Sequence, residues 1–222
     1  MNENRRRIKR GLLIGLAVQL VILAVVGGFV YSKYVKQDKL DGQISITAEL
    51  GTIQLLEHQA KKTDKGNYEF TEVLYDGTVG KKGNTYDHVL PGLDIPKDPY
   101  IKVEGKTPIP AYIFVEVVAD ENFDEYNGHV QNKLAYSLTS SWKKLDIAGE
   151  NGGTVYVYVD GEGNPIKVTG NISELHILVD DKIIVSQKVS IAPPAKLEFY
   201  ATMAQAVNGK TPAEIYTAQG AA

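Results

Sequence analysis

The sequence predicts an all-β protein: a single jelly-roll-like β-sandwich with short helices, preceded by a hydrophobic N-terminal helix. Five prolines between residues 91 and 110 hold φ at about −65° and exclude a helix from this stretch. Residues 111–118 (AYIFVEVV) follow as a run of β-branched and aromatic side chains, which is typical of a buried strand. Short runs of this kind, separated by frequent turns and with proline at their edges, are characteristic of a β-sandwich.

Length, net charge and cysteine content restrict the classes of protein that this sequence can encode. A chain of 222 residues is long enough for one β-rich domain with its own core. Because the whole chain has a net charge of −3 and residues 1–40 carry +6, residues 41–222 carry −9. An acidic body argues against nucleic acid as a partner, since phosphates require basic patches. The chain has no cysteine, which excludes disulfides, thiolate zinc sites and cysteine nucleophiles.

Residues 1–30 are predicted to be a signal peptide or a membrane anchor. Five basic residues within the first ten precede an apolar run over residues 11–30, broken by Gln19. That run is about long enough to cross a bilayer, and the positive-inside rule places the basic end in the cytoplasm and the acidic body outside. Two interpretations remain open: signal peptidase cleaves between Gly28 and Phe29, or the segment stays as a single-pass anchor. Both predict an exported protein, at the cell surface or extracellular, that uses a Sec-type pathway.

The chain after this segment divides into a tether and a domain. Residues 31–42 are polar and Lys-rich, which indicates a tether, and residues 43–222 are predicted to be the β-sandwich domain. Within residues 43–49 apolar and polar side chains alternate, as in a half-buried strand, with the apolar positions at Ile44, Ile46 and Ala48. Residues 61–84 are rich in Lys, Asp and Gly and are predicted to form a hairpin or a long loop.

The second half of the chain contains further strand patterns and one helix signal. Tyr and Val alternate over residues 154–159 (TVYVYV), and residues 121–131 are polar enough for a short helical turn. Thr211 before Pro212 is an N-cap followed by proline at the first helical position, so a short helix closes the domain. Other strands are predicted at residues 100–103, 135–145, 175–179, 183–191 and 197–201.

Residues 90–118 resemble the centre of the TasA/camelysin family, secreted or surface proteins of Gram-positive bacteria. The matching pieces are Pro91-Gly92, Lys97-Asp98-Pro99 and residues 111–115 (AYIFV), in the family's order and spacing. Residues 154–159 are similar to the family's Tyr-rich strand. Residues 197–218 (LEFYATMAQAVNGKTPAEIYTA) are similar to its closing strand and terminal helix.

The resemblance implies a structural protein, a biofilm-matrix or surface-fibre subunit, and not an enzyme. In that family fibres grow when an N-terminal strand of one subunit completes the sheet of the next. The strand in that position here contains Ile44, Ile46 and Ala48, so it is the expected assembly strand, with further copies or other matrix proteins as partners. A membrane-anchored extracellular binding or accessory domain is the alternative, and a camelysin-like metallopeptidase is a third possibility.

No catalytic, cofactor-binding or metal-binding residue is predicted. The four histidines (His58, His88, His129 and His176) are dispersed, and the chain lacks the H-E-x-x-H arrangement of zinc peptidases. Residues 160–164 (DGEGN) begin like a calcium loop, but Pro165 stands where that loop needs glycine, so a hairpin turn is preferred. The acidic cluster of Asp120, Glu121, Asp124 and Glu125 is interpreted as a solvated loop.

Tyrosine is enriched, with thirteen residues against five phenylalanines. Tyr156 and Tyr158 share one face of their predicted strand. Two interpretations remain: the tyrosines fill one end of the sandwich with their hydroxyls near water, or they form an aromatic interaction face for subunits or glycans.

Overall fold

The computed structural model describes residues 35–39, 51–75, 83–86, 89–105, 109–128, 132–189 and 195–219. Within these residues the chain is mostly β, which confirms the predicted class, and it has one short α-helix. The elements are β1 (Val35–Lys39), β2 (Thr52–Lys62), β3 (Tyr68–Tyr75), β4 (Ile95–Pro96), β5 (Tyr100–Glu104), β6 (Ala111–Ala119), β7 (Phe123–Glu125), β8 (Leu134–Tyr136), β9 (Trp142–Ala148), β10 (Thr154–Tyr158), β11 (Ile172–His176), a 3-10 turn (Val179–Asp181), β12 (Lys182–Val185), β13 (Leu197–Gln205) and α1 (Pro212–Gln219).

The described strands form three sheets. The five-stranded sheet has the order β1-β13-β6-β10-β9, and a four-stranded sheet has the order β11-β5-β2-β3. The third sheet, β4-β12-β8-β7, consists of short strands. Neighbouring strands are antiparallel except β7 and β8, which are parallel.

One apolar core joins the three sheets. Strand β6 supplies Ile113, Val115 and Val117 to this core, and β2 supplies Ile53 and Leu55. The small third sheet contributes further apolar side chains: Ile95, Phe123, Leu134, Tyr136, Ile183 and Val185. The alternate residues of β2 point into the core because successive side chains of a strand point to opposite faces.

A second apolar cluster lies on the other face of the five-stranded sheet, where α1 covers it. Phe114 of β6 and Val157 of β10 meet Ile215 and Tyr216 of the helix there. Strand β6 is therefore buried on both faces, with seven consecutive buried residues. This explains why its sequence does not alternate and is apolar at every buried position except Glu116.

The C-terminal helix begins as predicted, with a reciprocal cap. The Thr211 hydroxyl accepts a hydrogen bond from the Glu214 N–H (3.2 Å), and the Glu214 carboxylate accepts one from the Thr211 N–H (2.8 Å). This is a capping box, which satisfies two backbone donors at the helix start. Thr211 at the N-cap and Pro212 at the first helical position are thus confirmed.

In two other segments the local sequence pattern left the structure undecided or predicted it wrongly. Within residues 61–75 a hairpin is formed: β2 and β3 pair around a turn in which the Thr63 N–H donates to the Asn67 carbonyl (2.7 Å). The turn that the sequence predicts at Asp76-Gly77 lies outside the described residues. The helical turn predicted within residues 121–131 is wrong for the described residues, where strand β7 lies instead. Phe123 is buried there and pairs with Leu134 of β8, so tertiary burial outweighs the polar local sequence.

The N-terminal predictions mostly fall beyond the described residues. Residues 1–30, and with them the predicted hydrophobic helix, lie outside that part of the chain. Among the residues that are described, no helix has the length and apolar character needed to cross a membrane. Within the predicted tether, residues 31–42, the structure has strand β1.

Candidate functional site

Strand β13 is an apolar strand that is buried on both faces. Its residues from Phe199 to Ala204 are each at most 7% exposed. On one side it pairs in unbroken register with β6, from Leu197 opposite Ala119 to Gln205 opposite Ala111. An apolar strand of this length left without a second neighbour would offer a row of unpaired backbone groups to other chains.

Strand β1 occupies the second side of β13. The two strands are antiparallel, with Val35 opposite Ala204 and Lys39 opposite Tyr200. Strand β1 also lies against β2 of the four-stranded sheet. The N-terminal segment therefore covers the edge that β13 would otherwise leave open, and this covered edge is the candidate functional site.

The sequence of β1 (VKQDK) does not by itself specify a strand. Four of its five residues are polar, without the alternation that marks a half-buried strand. Its extended conformation follows from pairing with β13, which is why the sequence indicated only a tether. Four residues, 31–34, separate β1 from the predicted membrane segment, and they can span at most about 14 Å.

The predicted processing and assembly residues are not among the described ones. Gly28 and Phe29, at the predicted cleavage site, and Ile44, Ile46 and Ala48, in the predicted assembly strand, all lie outside the described residues. The N-terminal strand that the structure does describe is β1, which precedes residues 43–49 in the chain and pairs with β13.

The tyrosines of β10 lie on the core face of the five-stranded sheet. Tyr156 is 2% exposed, and its hydroxyl donates a hydrogen bond to the Glu125 carboxylate (3.1 Å). Burial raises the pKa of Tyr156 above its usual range, and the nearby Tyr136 and Glu125 act in the same direction. Tyr158 packs against the Trp142 ring, with the centroids 6.0 Å apart. The predicted alternation is present, but Tyr156 is part of the buried core and Tyr158 packs against it.

Residues 160–164 form a turn whose acidic side chain bonds to the turn itself. Asp160 Oδ1 accepts hydrogen bonds from the N–H groups of Asn164 (2.8 Å) and Glu162 (3.0 Å). These bonds, led by that from Asn164, hold the pKa of Asp160 below its ordinary value. Residues 159 and 165 are bridged across the turn, as the hairpin interpretation expects.

The acidic cluster is divided among separate partners. Asp120 accepts hydrogen bonds from the N–H groups of Asn122 (2.9 Å) and Lys196 (2.6 Å). Asp124 forms an ion pair with Lys133 (2.9 Å), while Glu125 accepts the Tyr156 hydroxyl. Asp120 therefore holds two backbone N–H groups in place, while Glu121, Asp124 and Glu125 are exposed.

The two described histidines flank a buried tyrosine on the four-stranded sheet. His58 Nδ1 contacts the Asp98 carboxylate (2.5 Å), and His176 Nδ1 contacts that of Asp181 (2.9 Å). The Tyr100 ring lies between them, 6.1 Å from His58 and 5.7 Å from His176. Across the described part of the chain, no three His, Asp or Glu residues are grouped closely enough to hold a metal ion. His88 and His129 lie outside that part.

Comparison of the chain with protein-family models, with curated proteins and with solved structures finds no match.

Proposed function

We propose that this chain is an exported structural protein of the cell surface, a fibre or matrix subunit of the TasA/camelysin type, and not an enzyme. In this proposal the five-stranded and four-stranded sheets are the two layers of a jelly-roll-like β-sandwich. The acidic body and the basic, apolar N-terminus support export. The single observation that carries the proposal is the pairing of β1 with β13.

That pairing suits assembly because β1 and β13 come from different parts of the chain. Strand β13 belongs to the body of the domain and is held by β6, whereas β1 comes from the segment that follows the predicted export sequence. A strand with this origin can pair with its own β13 or with the β13 of another copy, using the same backbone hydrogen bonds. We therefore assign the donated strand to Val35–Lys39, in addition to the sequence-based candidate at residues 43–49.

A membrane-anchored binding or accessory domain is the second candidate. The observation that favours it is the short connection of four residues between the predicted membrane segment and β1. If that segment stays uncleaved, each β1 is tethered beside its own β13, and the edge of the five-stranded sheet faces the membrane. Assembly by strand donation would then be disfavoured.

Disulfide trapping distinguishes the two functions. Because the chain has no native cysteine, any disulfide must join the introduced cysteines. Gln37 and Thr202 are register partners across β1 and β13. Two single variants, Gln37→Cys and Thr202→Cys, are mixed in their mature, surface-released form and oxidised. Strand donation predicts a disulfide between the two different chains, because one copy's β1 then lies on the other's β13.

The double variant Gln37→Cys/Thr202→Cys gives the complementary result. A disulfide confined to one chain, with no mixed dimer from the single variants, would contradict the fibre proposal and favour the anchored domain. Thr202→Cys mixed with Lys143→Cys is the matched control, since Lys143 lies on β9 at the opposite side of the sheet and is not a partner of β13.

A further inference from the structure

Three polar side chains from distant parts of the chain meet at one point beside β2. Glu57 of β2 accepts hydrogen bonds from Lys97 Nζ on both carboxylate oxygens, at 3.0 and 3.1 Å. Asn84 Nδ2 donates to the same Glu57 Oε1, at 2.6 Å. The Lys97 amine and the Asn84 amide therefore lie within two hydrogen-bond lengths of each other, on either side of one carboxylate oxygen.

The carboxylate and the amine of this site are enclosed by protein, and Asn84 beside them is half-buried. Glu57 is fully buried and Lys97 is 6% exposed. The Phe199 ring lies 5.7 Å from Lys97 Nζ, and the hydroxyl of the half-buried Tyr86 donates a hydrogen bond to the Pro96 carbonyl (2.5 Å). Enclosure of this kind excludes water, and moving a proton from the lysine to the carboxylate there replaces two buried charges with a neutral pair.

The Asn84 amide is also held in a fixed orientation by two backbone groups of β2. Its Oδ1 accepts a hydrogen bond from the Ala60 N–H (2.7 Å), and its Nδ2 donates a second bond to the His58 carbonyl (2.7 Å). A backbone N–H on a carbonyl oxygen stabilises the negative charge that develops there when a nucleophile adds. A simple Glu–Lys ion pair requires none of these contacts to the amide.

We propose that Lys97 and Asn84 form an intramolecular isopeptide bond, with Glu57 carrying the proton. Glu57 takes a proton from Lys97 Nζ, and the freed amine attacks Asn84 Cγ. The Nζ–Cγ bond forms, and Glu57 passes its proton to Nδ2 as the Cγ–Nδ2 bond breaks and ammonia leaves. Glu57 then takes the second proton from Nζ, so a neutral amide remains and this proton is finally carried away with the ammonia as ammonium. No oxidant, metal or other co-reactant is consumed, and a general acid–base of this kind contributes about 10²–10⁴-fold to a rate.

The bond would fasten the segment that carries Asn84 to the residues that follow β4, across the middle of β2. Gly83 precedes Asn84 with a φ of +53°, in the left-handed region, where any other residue would be strained. The inference depends on the buried cluster alone and is independent of how β1 is used. A clamp of this type suits a chain that is exposed outside the cell without disulfides.

The intact mass of the full chain, purified in detergent, tests the proposal directly. The expected mass is lower than the sequence mass by one ammonia molecule, and peptide mapping should recover a branched peptide joining Lys97 to Asn84. A full, unmodified mass overturns the proposal. So does the recovery of the two residues in separate linear peptides.

Variants identify the chemistry and exclude an alternative loss of ammonia. Asn84→Asp keeps an electrophilic carboxyl, so the same branched peptide should form with loss of water instead. Lys97→Arg removes the attacking amine and should retain the full mass, whereas Lys143→Arg on the exposed face of β9 should behave like the parent chain. Ammonia loss that persists in Lys97→Arg would mean that Asn84 closes on its own backbone, and it would overturn the proposal.

Glu57→Gln is expected to slow bond formation by about 10²-fold or more.

Discussion

Glu116 is a buried carboxylate that organises a turn on the outer face of the five-stranded sheet. Its Oε1 accepts hydrogen bonds from the N–H groups of Asn151 and Gly153, both at 2.8 Å. Its Oε2 accepts the Asn151 side-chain amide (2.9 Å) and the Tyr216 hydroxyl (3.1 Å). Because a buried carboxylate is tolerated only when its acceptors are used, these bonds tie the turn before β10 to helix α1.

Glycine is required in that turn. A Cβ at Gly153 would lie 2.4 Å from the Val117 carbonyl oxygen, and this backbone atom cannot move aside. Gly153→Ala is expected to lower the free energy of unfolding by about 1–3 kcal/mol, as overpacking does, when measured by urea denaturation. Gly161→Ala is the matched control: its Cβ would meet no atom within 4 Å, so its effect should stay within about 0.5 kcal/mol. Equal effects would show that the turn relaxes freely.

His176 is expected to make stability depend on pH. Burial lowers its pKa, but the hydrogen bond and charge of Asp181, together with Glu174, outweigh burial and raise the pKa above the ordinary value of 6.5. A raised histidine pKa stabilises the fold fully below the unfolded value, and the stabilisation is lost as pH rises through the folded value. Asp181 holds this contact from a left-handed backbone conformation with φ of 50°, which is rare for a non-glycine residue.

The pH prediction is checked with His176→Gln. Stability of the parent chain relative to this variant should fall as pH rises from the ordinary histidine pKa of 6.5 through the raised folded value. The loss should be less than about 1 kcal/mol because the pair is partly exposed and screened. Asp181→Asn should reduce the same slope by removing the partner charge. A parent chain and a His176→Gln variant with parallel pH profiles would show that the ion pair contributes nothing.

At the scale of elements, the burial of a strand decides whether its sequence pattern is enough to identify it. Strand β6 is an apolar run because both of its faces are covered, and the sequence identified it readily. Strand β10 alternates Tyr and Val, and the two faces were assigned correctly as sets. The alternation does not show which neighbour each set of side chains meets. In the structure the valines pack against α1, and the tyrosines face the main core.

Strand β1 is the element with the weakest sequence signal and the largest expected consequence. Removing residues 1–39 deletes β1, whereas removing residues 1–34 keeps it. The shorter chain should lose a few kcal/mol of stability, at about 1 kcal/mol per backbone hydrogen bond lost, and its exposed β13 edge should promote self-association. Urea denaturation and analytical ultracentrifugation measure the two effects.

A peptide of residues 31–42 provides the control for that deletion. Added to the chain that begins at residue 40, it should restore stability and suppress association, because it replaces the missing strand. If the two truncated chains are equally stable and equally monomeric, β1 does not cover β13 in solution.

At the scale of the whole molecule, three sheets share a core built from residues far apart in the chain. The core joins β2 near the N-terminus of the domain to β13 near its C-terminus. The cluster of Glu57, Asn84 and Lys97 depends on the same long-range closure, since 40 residues separate Glu57 from Lys97. The small third sheet also depends on it, because short strands such as β4 and β7 are stable only against their neighbours.

The sequence alone determined the features that local physics controls. Proline-rich and β-branched stretches exclude helix and favour strand, and the Thr211 cap with Pro212 starts a helix, because these preferences act over a few residues. The tertiary structure decided the pairing of a polar N-terminal strand with β13, the burial of Tyr156, and the meeting of an amine, an amide and a carboxylate beside β2. These features depend on contacts between residues that are far apart in the chain. A local periodicity does not indicate which distant residue a backbone group or a polar side chain will bind.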